Sequence, residues 1–145
     1  MLSASSAGTV LGFDFGTQRI GVAVGETHTG LAHPLVTIAA TRGDEWLRDV
    51  TALVSEWRPT LFVVGLPTHA DGVPHAMTAR AQRFGRQLER HFSIPVEFCD
   101  ERFTTHGAAD ALREAGTRGR ERKRVRDQVA AQLILQDYLD RHRPA

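Results

Sequence analysis

Four acidic residues in this 145-residue chain are placed where they could act together: Asp14, Asp127 and the adjacent pair Asp100-Glu101. Carboxylates drawn to one place repel, so either their proton affinity rises or a cation holds them. An all-oxygen donor set with no clustered Cys or His suits a hard ion, Mg²⁺ or Mn²⁺. Two such ions roughly 3.5–4 Å apart form the clamp used in phosphodiester hydrolysis, one activating water and the other stabilising the leaving oxygen. Each acid also has a plainer use. Asp14 can cap a turn, Asp127 can favour the first turn of a helix, and Glu101 can pair with Arg102. A shared site therefore depends on what the surrounding elements do with these side chains.

Asp14 lies in Val10–Val24, which alternates with a period of two on either side of Gly16-Thr17-Gln18-Arg19. That pattern predicts two strands joined by a turn. Leu11, Phe13 and Phe15 mark one face; Val10, Gly12 and Asp14 mark the other. A lone carboxylate on an apolar face is costly to bury without a partner. Asp127 is the expected neighbour. It heads a helical stripe of Ala130, Ala131, Ile134, Leu135 and Tyr138, with Gln128, Gln132 and Asp140 outside that stripe. The alanines and Gly12 permit close approach of helix and sheet. Asp100 and Glu101 leave the carboxyl end of a strand, where ligands tend to bind on open α/β sheets. Neighbours on a strand face opposite ways, so only one can aim at Asp14. Glu101 has the longer reach and is preferred; Asp100 stays in contention.

The remaining elements follow from periodicity and breakers. Leu31–Ala39, with Pro34 near its start, predicts an edge strand. Trp46, Val50, Leu53 and Trp57 predict a helix that Pro59 ends. Leu61-Phe-Val-Val64 reads as a buried central strand. Met77, Ala81, Phe84 and Leu88 mark a second helix, and Pro95–Cys99 a further strand. A short helix is expected up to Ala115, then a flexible basic loop over Gly116–Glu121, then a last helix from about Lys123 to Arg141. This order predicts an α/β fold: a mixed five-stranded sheet with helices on both faces. Residues 9–143 are expected to form one domain, after a loose tail at 1–8.

Composition narrows the class. Apolar residues make up 41% and charged residues 24%, ordinary values for a globular domain. No run approaches a membrane span, and the first residues lack the pattern of a signal peptide. Cys99 is the single cysteine, which fits a reducing cytoplasm. A net charge of +1 does not by itself announce a polyanion binder. Its distribution does more. Arg118, Arg120, Arg122, Lys123, Arg124 and Arg126 fall within nine residues, just ahead of Asp127. Isolated charge runs are usually solvated faces, but this position suits an arm that tracks a nucleic-acid backbone. Arg19 and Arg102 flank acid-bearing motifs and are candidates for phosphate contact. His69 and His106 could move protons, Cys99 reads as a small strand residue, and Trp46 and Trp57 as core.

Four blocks, in order, also match a known pattern: Asp14-Phe-Gly-Thr-Gln-Arg-Ile-Gly-Val-Ala23, Val64-Gly-Leu-Pro67 with Asp71-Gly72, Asp100-Glu-Arg-Phe-Thr-Thr105, and Asp127 before Ala130-Ala131 with Ile134-Leu135-Gln136. In these the chain resembles the YqgF/RuvX family over nearly its whole length. His69-Ala70 and Phe103 depart from that pattern. The family's members are Holliday-junction-resolvase-like nucleases assigned to trimming pre-16S rRNA. The resemblance implies a ribonuclease H-like fold and a cytoplasmic role in ribosome maturation, as a monomer or homodimer. It implies Asp14, Asp127 and the acid in Asp100-Glu101 as catalytic residues. Expected partners are structured RNA or branched DNA, and the ribosomal precursor. Two other readings compete: a binding factor that recruits the precursor without cutting, and an ATP-handling protein, since Asp14-Phe-Gly-Thr17 also looks like a phosphate-binding hairpin. The second needs two such domains, and this chain is too short for them.

Overall fold

A computed structural model describes residues 8–41, 43–67, 76–100 and 119–142. The expected helix ending near Ala115, and most of the loop after Pro67, lie outside them. Five strands are present: β1 (Thr9–Phe15), β2 (Arg19–Glu26), β3 (Leu31–Ala39), β4 (Leu61–Leu66) and β5 (Val96–Asp100). Three helices accompany them: α1 (Glu45–Trp57), α2 (Ala76–Phe92) and α3 (Gly119–Arg141).

The strands form one mixed sheet in the order β3-β2-β1-β4-β5. The meander β1-β2-β3 is antiparallel, while β4 runs parallel to both β1 and β5. Strands β1, β2 and β4 alternate with a period of two, while β3 carries an irregularity between its Pro34 and Val36 pairings. Leu11 and Phe13 of β1 face the same side as Ile20 and Val22 of β2 and Phe62 and Val64 of β4. There they meet Trp46, Val50 and Leu53 of α1, and Ala81, Phe84 and Leu88 of α2. Phe84 is the hub of this layer. Its ring lies 5.5 Å from Phe13, 5.0 Å from Phe15 and 4.9 Å from Trp46, centroid to centroid. Trp46 is buried in this layer, and Trp57 packs against it. Arg58 closes α1 in a left-handed conformation (φ 49°), its N–H reaching the Val54 carbonyl at 2.8 Å. Pro59 cannot continue the helix.

The other face belongs to α3. Ala131, Ile134, Leu135 and Leu139 pack on Val10, Ala23, Ala32 and Val63. Glycine makes the approach possible. A Cβ at Gly12 would sit 2.8 Å from the Cβ of Leu135. A Cβ at Gly21 would collide with the carbonyl oxygen of Asp127. The helix axis is thereby pressed onto the first hairpin.

Two features differ from the sequence-based reading. The last helix begins at Gly119, so Arg120 and Glu121 are helical and not part of a loop. Arg, Glu and Lys are good helix formers, and no breaker follows Gly119. The glutamines of α3 are not idle, either. Gln132 Nε2 donates to the Ala32 carbonyl at 3.1 Å. Gln136 Oε1 accepts from the Ala32 N–H at 2.9 Å, and its Nε2 donates to the Gly30 carbonyl at 2.8 Å. Gln128 donates to the Thr37 hydroxyl at 3.2 Å. Spaced four apart, these amides share one side of α3: Gln132 and Gln136 satisfy backbone groups of Ala32 and Gly30 at the start of the edge strand β3, and Gln128 bonds a β3 side chain.

Candidate active site

Asp14 stands next to the carboxyl end of β1, directly across the ladder from Gly21 of β2. Residues opposite each other in an antiparallel pair share a face. The Asp127 backbone lies against Gly21 on that face. Local pairing, a missing side chain and a helix stripe therefore bring Asp127 to Asp14 from 113 positions further along the chain.

Both acids line one cleft of about 350 Å³, together with Gly16, Thr17, Gln18, Arg19 and Met77. The hairpin turn supplies Gly16 to Gln18, and Met77 reaches in from the first turn of α2. Arg19 Nε donates to Asp127 Oδ2 at 2.6 Å, with the two side chains 29% and 15% exposed. This is a short, charge-assisted contact in a half-buried place, which strengthens it relative to a surface pair. Arg19 thus lies within the cleft, in contact with an acid and not merely beside a motif. Sequence spacing gave no sign of this partner, because it is 108 positions away.

The donor set fits the hard cation that the sequence suggested. Mg²⁺ is commonly bound by one or two protein carboxylates and keeps several waters. Asp14 and Asp127 are two such carboxylates in a single open cleft. Among the described residues, no group of three His, Cys, Asp or Glu side chains gathers to hold a metal.

The other candidates are placed as follows. Asp100 is half-buried and pairs in register with Leu66. By strand alternation it shares a side with Phe98, whose ring packs at Gly85 of α2. That is the sheet face opposite Asp14. Glu101, Arg102 and Arg118 lie outside the described residues, as do His69 and His106. Arg120 falls in the first turn of α3. Arg122, Lys123 and Arg124 follow along the same helix, Arg122 half-buried and the other two exposed, ahead of Asp127. The Arg124 carbonyl accepts a hydrogen bond from the Thr37 hydroxyl at 2.9 Å, so β3 anchors this basic turn. Cys99 packs against the α3-side cluster. Burial, reinforced by Asp137, pushes its thiol up to about 11, which disfavours the thiolate at neutral pH. No described helix is long and apolar enough to cross a membrane.

The chain is similar to known proteins over nearly its whole length. A protein of Nitrosospira multiformis named "Putative pre-16S rRNA nuclease" is 52% identical over 138 residues, covering 95% of this chain and 91% of that protein. One of Dechloromonas aromatica with the same name is 53% identical over 133 residues, covering 92% and 91%. Among solved structures, Thermus thermophilus RuvC in complex with a Holliday junction superposes with a TM-score of 0.56 at 14% identity, over 90% of this chain and 92% of that one. The fowlpox virus resolvase, also bound to Holliday junction DNA, gives 0.58 at 8% identity, over 92% and 97%. At such identities the likeness is one of fold, and that fold is ribonuclease H-like. A family model described as "RuvX: Holliday junction resolvase" matches residues 8–141, which takes in Asp14, Arg19 and Asp127 with the whole described sheet, and the chain belongs to that family.

Proposed function

We propose that this protein is a divalent-metal-dependent nuclease that hydrolyses phosphodiester bonds in pre-16S rRNA, at its 5′ end, during ribosome maturation in the cytoplasm. The observation that carries this reading is the meeting of Asp14 and Asp127 in one open cleft at the end of β1. The names of the half-identical relatives support the choice of RNA as substrate.

Asp14 and Asp127 are the residues that would hold Mg²⁺ or Mn²⁺, with Glu101 as third ligand. When bound, the ion supplies an activated water and a counter-charge for the leaving oxygen. The protein's own part is placement. Strand β1 fixes Asp14, and the contact of α3 with Gly21 fixes Asp127. Arg19 holds the Asp127 carboxylate in one orientation and adds positive charge to the cleft wall. Arg120, Arg122, Lys123 and Arg124, with Arg102 and Arg118, supply cations that steer a polyanion towards the acids.

The test uses purified protein and a synthetic RNA spanning the 5′ junction of pre-16S rRNA. Cleavage with Mn²⁺ or Mg²⁺ is expected, with loss on chelation and in folded Asp14→Asn. Equal cleavage by that variant contradicts the proposal. Binding without cutting assigns the chain to recruitment, and cutting of four-way DNA alone assigns it to junction resolution.

A further inference from the structure

On the sheet face opposite α3, a second cleft of about 220 Å³ is bordered by Phe15, Trp46, Arg80, Arg83, Phe84 and Gln87. Its floor is aromatic. Phe84 and Trp46 are 2% and 7% exposed, and Phe15 is half-buried. Its rim is cationic and polar, with Arg80, Arg83 and Gln87 all exposed. Neither arginine is tied in an ion pair or hydrogen bond to any described residue. The charge around them is lopsided: α2 carries Arg80, Arg83, Arg86 and Arg90 against one acid, Glu89. A domain of net charge +1 has therefore collected four arginines on a helix that carries a single carboxylate, Glu89.

The position of this cleft matters as much as its composition. Asp14 and Phe15 are neighbours on β1, and each borders a different cleft. Met77 borders the acid cleft, and Arg80, one turn further along α2, borders the second. The two clefts thus meet around the end of β1 and the start of α2. A chain of phosphates bound at the acids and passing over Phe15 arrives at Arg80 and Arg83. Guanidinium groups match phosphate oxygens in geometry and stay charged at any working pH. Phe15 gives a sugar or base an apolar surface, and the Gln87 amide can both donate and accept.

We propose that the Arg80–Arg83 cleft is a binding subsite for single-stranded RNA flanking the cut linkage, taking one or two phosphates beyond the acid cleft. This inference rests on the nuclease reading. It adds a path on the α2 side of the sheet, separate from the basic turn of α3.

The experiment is done in full-length Asp14→Asn protein, so that binding is measured without cutting. A fluorescent 12-nucleotide single-stranded RNA is titrated by anisotropy at several KCl concentrations. Adding Arg80→Ala with Arg83→Ala is expected to weaken binding at least tenfold. It should also reduce the slope of log K against log salt by about 1.4, the value for two lost single-strand phosphate contacts. Lysine at both positions should restore most of the slope. The charge-matched control, Arg48→Gln on α1 with Arg58→Asn at the cap that closes it, both exposed, should leave the slope unchanged. An unaltered slope in the alanine double variant, or an equal loss in the control, overturns the subsite and leaves the nuclease reading standing. Absence of RNA binding by the parent at every salt concentration overturns both.

Discussion

Arg19 and Asp127 are joined by a 2.6 Å contact between the first residue of β2 and the interior of α3, within the cleft that Asp14 also lines. The guanidinium is a built-in counter-ion for an acidic cleft. It also competes with any cation that seeks the same carboxylate. Like charges about 4 Å apart cost on the order of 1 kcal/mol in water and about 4 kcal/mol at a partly buried site. Arg19→Gln is therefore expected to bind Mn²⁺ several-fold more tightly while melting at a lower temperature without metal. Mn²⁺ titration by electron paramagnetic resonance, paired with thermal unfolding, checks both parts. Unchanged affinity would show that Arg19 plays no part in the ion balance.

Gly21 is the point where α3 touches the hairpin. Gly21→Ala would drive a methyl group into the Asp127 carbonyl, so the helix must move. Overpacking of this kind costs about 1–3 kcal/mol. The expected result is a lower urea midpoint and, in the protein that remains folded, cleavage reduced well beyond the loss of stability. A variant with parental stability and activity would mean that the helix position does not set the site.

Gln136 holds the edge strand through two backbone hydrogen bonds, at Ala32 and Gly30. Gln136→Ala leaves those groups without their partner, at a cost of about 1–3 kcal/mol. Hydrogen exchange should quicken at Ala32 and its neighbours in β3, with β4 little affected. Uniform quickening across the sheet would contradict a local role.

Cys99 is neutral well into the alkaline range. Its thiol is raised from 9.0 to about 11, first by burial and then by Asp137. The folded state holds this proton more tightly than the unfolded chain does. Stability from this group is therefore complete below pH 9 and declines as the pH rises towards 11. In a Cys99→Ala variant that decline should be shallower. Iodoacetamide should react slowly at pH 8 in the native protein and quickly after denaturation.

Period-two alternation in β1 and β2 located the hairpin and assigned Asp14 to its less crowded face. The stripe from Asp127 to Tyr138 placed the second acid on the same side. Both signals are short-range, and burial enforces them. What a sequence does not carry is the partner of a long polar side chain. Arg19 and Asp127 find each other through the packing of α3, which no spacing rule encodes. Spacing puts Gln128 and Gln132 outside the apolar stripe, and the partners that the edge strand offers them follow only from how α3 lies along β3. The start of α3 was misplaced because a run of arginines suits a loop and a helix equally well by charge. The side taken by Asp100 depends on the register of β5, which only the sheet reveals.

The most direct test is Mn²⁺ affinity in the parent, Asp14→Asn, Asp127→Asn and the double variant. A shared ion site predicts that each single change weakens binding at least tenfold, and that the double variant falls well short of the summed effect. Loss in one single variant with parental affinity in the other would contradict the shared cleft.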